Sequence, residues 1–95
     1  MTLGDRLLER EVLAMFISQS DRLMLRLKTR PTEAGALAHT LKGSARAIGA
    51  TRVAACAAVL ELAIRRGEDL GATLRELGEA AAEARMSIAA LLERS

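Results

Sequence analysis

Apolar residues recur along this chain in steps of three and four, the spacing of helices that bury one side. Nowhere do apolar and polar positions alternate convincingly at period two, so no strand is expected. Four stretches carry such a stripe: 5–28, 32–48, 51–66 and 70–93. In the first, Leu13, Phe16, Ile17, Leu23 and Leu27 line one face, and Val12, Met15 and Met24 broaden it. The second has Ala34, Leu37, Leu41, Ala45 and Ile48 on its apolar side, and the third has Val53, Ala57, Leu60 and Ile64. In the last, Leu70, Leu74, Leu77, Ala81, Ala84, Ile88 and Leu91 alternate in steps of four and three, the seam of a left-handed bundle.

The punctuation between these stretches is sparse. "KTRPTEAG" holds the only proline, and Pro31 is placed to stop one helix and open the next. "IGATR" offers Gly49 as a stop and Thr51 as an N-cap; "RRGEDLG" offers Gly67 as a stop, with Asp69 near a fresh start. The polar opening "DRLLERE" predicts a break near Glu9–Val12 as a variant of the first helix, giving a short extra N-terminal helix. Short connections make successive helices antiparallel neighbours. The expected fold is all-α, an antiparallel up-and-down four-helix bundle, in one domain spanning residues 1–95.

Composition narrows the core. The chain is 51% apolar but has no Trp or Tyr and a single Phe, so the core must be aliphatic and rich in alanine. The net charge of +2, spread among interleaved acids and with no aromatics for base stacking, argues against nucleic acid. Cys56, the only cysteine, sits in the apolar run "VAACAAVL" and is expected to pack. There is no signal-peptide pattern at the start and no apolar run of membrane-spanning length, so a cytoplasmic location away from the membrane is expected.

Candidate chemistry gathers on the second stretch. Helical geometry, about 100° per residue, places Leu37, Leu41 and Ile48 roughly 160–180° from His39, the only histidine. The imidazole therefore points away from the core. Thr32, Gly35, Ala36, Lys42, Gly43 and Arg46 lie within about 60° of it. Two are glycines, each costing a helix about 1 kcal/mol relative to alanine, and none is acidic. Small residues around a displayed imidazole leave room for a macromolecule to approach. The Lys42 ammonium one turn away disfavours the imidazolium, keeping the lone pair that a nucleophile needs, and becomes a counter-charge once an anion forms there.

The run "AHTLKGSARAIGA", continued by "TRVAACAAVLE", resembles the signature of histidine-containing phosphotransfer (Hpt) domains of two-component phosphorelays. His39, Leu41, Lys42, Gly43, Ser44, Gly49, Ala50, Leu60 and Glu61 match its pattern as they stand. The resemblance implies that His39 accepts a phosphoryl group from an aspartyl phosphate on a response-regulator receiver domain and passes it to another. Lys42 would contact the phosphoryl oxygens; Gly35, Ala36, Gly43 and Arg46 would form the docking surface; Glu61 would orient the imidazole. Ser44 faces away from His39 and reads as packing, and Gly49 as a turn residue. Partners would be receivers and a hybrid histidine kinase, with Mg²⁺ on the receiver and no cofactor on this chain. The link "KTRPTEAG", with Arg26, Lys28 and Arg30, is shorter and more basic than is common in the family.

On this reading the chain is a carrier without turnover of its own, not an enzyme, and is expected as a monomer with dimerisation left open; a histidine kinase is not expected, since 95 residues leave no room for an ATP-binding domain. The competing reading is a helical interaction module that dimerises through the Leu70–Leu91 seam and keeps a vestigial histidine motif. A metal site is not expected, because no second His or paired Cys completes one.

Overall fold

The computed structural model describes residues 3–29 and 31–94, with side chains from Leu8 onward except that of Pro31; Arg30 lies outside the described residues. Helix α1 spans Leu3–Thr29, α2 Ala34–Ile48, α3 Thr51–Arg65 and α4 Gly71–Arg94, with a 3₁₀ turn over Pro31–Glu33. Among the described residues there is no strand. The helices form the expected four-helix bundle, each packing on the next, and α1 closing the ring against α4. Ion pairs tie neighbouring helices together: Asp21 of α1 pairs with Arg85 of α4 at 3.0 Å, and Arg52 of α3 pairs with Glu83 of α4.

The turns have a shared cause. Gly49 takes φ +78° and Gly67 takes φ +67°, left-handed conformations in which a Cβ would be strained. At the first, the Ala50 amide donates to the Ala45 carbonyl at 2.8 Å; at the second, the Glu68 amide donates to the Ala63 carbonyl at 3.0 Å. Both are glycine-terminated helix ends whose last carbonyls are satisfied by the reversing chain. Thr51 is not an N-cap as expected. It is the first residue of α3, preceded by Ala50, and no side chain caps that helix. Asp69 does support the start of α4, its Oδ1 accepting the Gly71 amide at 3.2 Å.

The core is aliphatic but for one phenyl ring. Leu41, Leu60, Leu77 and Val53 are the largest fully enclosed side chains, and Phe16, Leu23, Leu27, Leu37 and Ile88 pack around them. Ala38 and Ala45 of α2 and Ala57 of α3 are wholly buried in the same core. Cys56 is half-buried against this core.

Four expectations along the stripes are corrected. α1 runs unbroken through Glu9–Val12, so there is no separate N-terminal helix. Val12 and Met15 do not join the core but are 43% and 69% exposed. Leu91 is likewise 53% exposed. In α4, Ala80 is the buried alanine, while Ala81 is half-buried. Val12 and Met15 line an open groove with Ser44, Ala47 and Ile48 of α2, so this edge of the α1 stripe is left uncovered.

Candidate functional site

α2 packs on α3 and α1, and Ala34, Leu37, Ala38, Leu41 and Ala45 are its buried residues. That packing fixes the rotation of α2 and turns His39 outward, its side chain 72% exposed. Thr32, Ala36, Gly43 and Arg46 are exposed on the same side. A Cβ built on Gly43 would meet no heavy atom within 4 Å, so space stands open over that backbone. Gly35 differs: it is half-buried, and a Cβ there would touch Ile64 Cγ2 of α3 at 3.9 Å. It sits at the α2–α3 groove, at the edge of the His39 face. Ser44 turns toward α1, where it lines a groove with Met15, Phe16 and Gln19.

The neighbouring helix adds what a single-helix projection lacks. Glu61 of α3, 13% exposed, reaches between two groups of α2. Its Oε1 lies 2.7 Å from Lys42 Nζ, and its Oε2 lies 3.4 Å from His39 Nδ1. Lys42 is itself only 16% exposed. The sequence projection had no acid beside His39 and left Lys42 as a bare cation acting on the ring. The structure corrects this: a carboxylate already engages that cation, and His39 faces an ion pair. The signal was present in the "LE" that ends the motif, but the helix–helix register that brings it to His39 was not.

The Lys42 ammonium bonded to it holds the Glu61 carboxyl below its ordinary value, against the opposing effect of burial, and His39 adds to the lowering. An ionised carboxylate only accepts hydrogen bonds. The contact with His39 is therefore satisfied when Nδ1 carries the ring proton, which leaves Nε2 with its lone pair on the exposed side. This is the arrangement of an oriented imidazole nucleophile, with a carboxylate behind it and a cation one turn away.

α3 supplies the other half of the face, which the residues of α2 alone did not reveal. Ala54, Ala55 and Ala58 join Arg46, Gly49 and Thr51 around a shallow groove of about 350 Å³ beside the histidine helix. Among the described residues no cluster of three or more His, Cys, Asp or Glu could hold a metal ion. No described helix is long and apolar enough to cross a membrane.

Neither a curated protein nor a solved structure matches the chain. A family model does: that of the Hpt domain matches residues 11–94, covering α2, α3 and α4 whole and α1 from Glu11 onward. With that match spanning nearly all of the bundle and the histidine motif at its exposed face, the chain belongs to the Hpt domain family, the histidine phosphotransfer modules of two-component phosphorelays.

Proposed function

We propose that His39 is the phosphoryl acceptor, taking the group from an aspartyl phosphate on one receiver domain and passing it to an aspartate on another. The observation that carries this reading is the exposure of the imidazole, 72%, beside an open glycine and in front of the Glu61–Lys42 pair. The His39 Nε2 lone pair attacks phosphorus. The bond from phosphorus to the aspartyl oxygen breaks, and its electrons leave with the receiver's carboxylate. Onward transfer is the same step reversed. Such chemistry depends mainly on in-line positioning and on charge compensation of the moving group.

On this chain Lys42 compensates the phosphoryl charge and Glu61 holds the ring through Nδ1. Gly43, Ala36 and Arg46 form the surface on which a receiver sits, with Gly35 at its margin. The receiver brings the Mg²⁺. A hybrid histidine kinase is the upstream source, and the protein acts in the cytoplasm as a carrier with no turnover of its own. The seam Leu70, Leu74, Leu77, Ala84 and Ile88 packs into the bundle's own core, which favours a monomer over a module that dimerises through it.

The test is labelling by a phosphorylated receiver. Wild type should acquire an acid-labile, base-stable phosphate, and His39→Gln should acquire none. Labelling that survives the substitution overturns the assignment.

A further inference from the structure

α1 turns one stripe away from the bundle that its own core does not use. Phe16, Ser20, Leu23 and Leu27 are buried on the inner side of the helix. On the outer side, steps of four and three run from Leu8 through Val12, Met15, Gln19 and Arg22 to Arg26. Leu8, Val12 and Met15 are 60%, 43% and 69% exposed. Beside Met15 and Ser18 a groove of about 520 Å³ opens onto Phe16, Ala47 and Ile48. Large exposed apolar side chains next to an apolar groove mark an interaction surface.

The charges on this stripe say what covers it. Glu11 stands near its N-terminal end and Arg22 towards its C-terminal end, both exposed. Among the described residues neither joins an ion pair within the chain. They lie 11 positions apart, which is about three helical turns and about 16 Å, so they share one flank of the stripe. A helix with an acid at one end of an apolar stripe and a base at the other is complementary to itself when the second copy runs antiparallel. Laid about a two-fold axis midway between Met15 and Ser18, Glu11 of each copy meets Arg22 of the other. Met15 of each copy falls over Ser18 of the other, at the mouth of the groove, where a flexible thioether side chain fills irregular apolar space. A parallel pair would set Glu11 on Glu11 and Arg22 on Arg22.

We propose that this stripe of α1 is the interface of an isologous antiparallel homodimer, closed by two Glu11–Arg22 pairs around Met15 and the α1–α2 groove. A contact made by one helix pair lies at the low end of protein interfaces, below about 1,200 Å² in total, so the association is weak and follows concentration. The α4 seam stays in the bundle core and takes no part. His39 takes no part either, so the dimer stands or falls independently of the acceptor reading.

The experiment is sedimentation equilibrium of the full chain over a concentration series reaching about 1 mM. Wild type should dimerise with a dissociation constant in the micromolar range. Glu11→Arg and Arg22→Glu should each weaken self-association at least about tenfold, because both pairs become like-charged. The equimolar mixture of these two variants is the decisive sample. One copy then carries two bases at these positions and the other two acids, so both pairs form again. The mixed dimer should bind within about threefold of wild type.

A wild type that stays monomeric throughout the series overturns the proposal and leaves the stripe to a different protein. Single variants that dimerise as readily as wild type place the contact elsewhere on the molecule and overturn it too. So does a mixture that associates no better than its components. Circular dichroism checks that each variant is folded. Should either charge variant fail to fold, Met15→Ser and added salt decide, since both must weaken the wild-type association. A dimer indifferent to both overturns the proposal.

Discussion

Gly43 gives the sharpest separation of folding from function. It lies in the interior of α2, on an exposed face, with helical backbone and no heavy atom within 4 Å of a Cβ placed upon it. Nothing else in the monomer therefore opposes a methyl group there. Replacing an interior helical glycine by alanine is worth about 0.8–1 kcal/mol, with no steric deduction in this case. For a domain near this size that raises Tm by about 4–8 °C. Leucine, a good helix former, should keep most of that gain. If a receiver must approach the backbone beside His39, the same leucine displaces it, and a misplacement of about 1 Å costs on the order of a hundredfold in rate. The expected result is opposite movement: thermal unfolding by circular dichroism shifts upward in Gly43→Ala and Gly43→Leu, while phosphotransfer to Gly43→Leu collapses. A Gly43→Leu protein that unfolds below wild type refutes the open-space argument. One that is more stable and transfers at the wild-type rate refutes the role of Gly43 in docking.

Gly49 should behave in the reverse sense. Its φ of +78° makes the cost of a side chain conformational, since no heavy atom lies within 4 Å there either. Gly49→Ala should lower stability by about 1–2 kcal/mol, read from urea unfolding, and a neutral or stabilising outcome would contradict the left-handed cap. Glu61 supplies a pH dependence with a definite sign. Its carboxyl is held below the ordinary value of 4.5, chiefly by Lys42, so the pair's contribution to stability is present above the unfolded-state value and is lost as pH falls through the lower folded-state value. The stability difference between wild type and Glu61→Gln should hold steady above about pH 5 and shrink as the solution is acidified below 4.5. A difference that instead grows on acidification contradicts that pairing.

Much of the fold was legible because its breaks are chemically distinct. Pro31, Gly49 and Gly67 each end or begin an element for a local reason, so helix limits read from them fall within about two residues of the observed ones. The outward bearing of His39 was legible for the same kind of reason, since Leu37 and Leu41 fix which side of α2 is buried. What periodicity could not convey is what stands opposite each face. Val12 and Met15 broaden the stripe of α1, yet they line an open groove beside α2 and are exposed. Glu61 lies 22 positions from His39, and only the seating of α3 on α2 brings its carboxylate to Nδ1.

The wholly buried alanines behind the site have a consequence for accuracy. Ala38, adjacent to His39 in the chain, and Ala45 and Ala57 present methyl groups with no rotamers to the core that α2 and α3 share. A seam of longer side chains can repack into alternative arrangements and let one helix slide or roll on the other; a seam of methyls has few such alternatives. The backbone of His39 is thus carried on a stiff mount, and the uncertainty in where Nε2 sits reduces to two side-chain torsions, one of which Glu61 restrains at Nδ1. On the proposed function, in which His39 offers one atom to different receivers in turn, the repeatability of that position lies in the smallest side chains of the core.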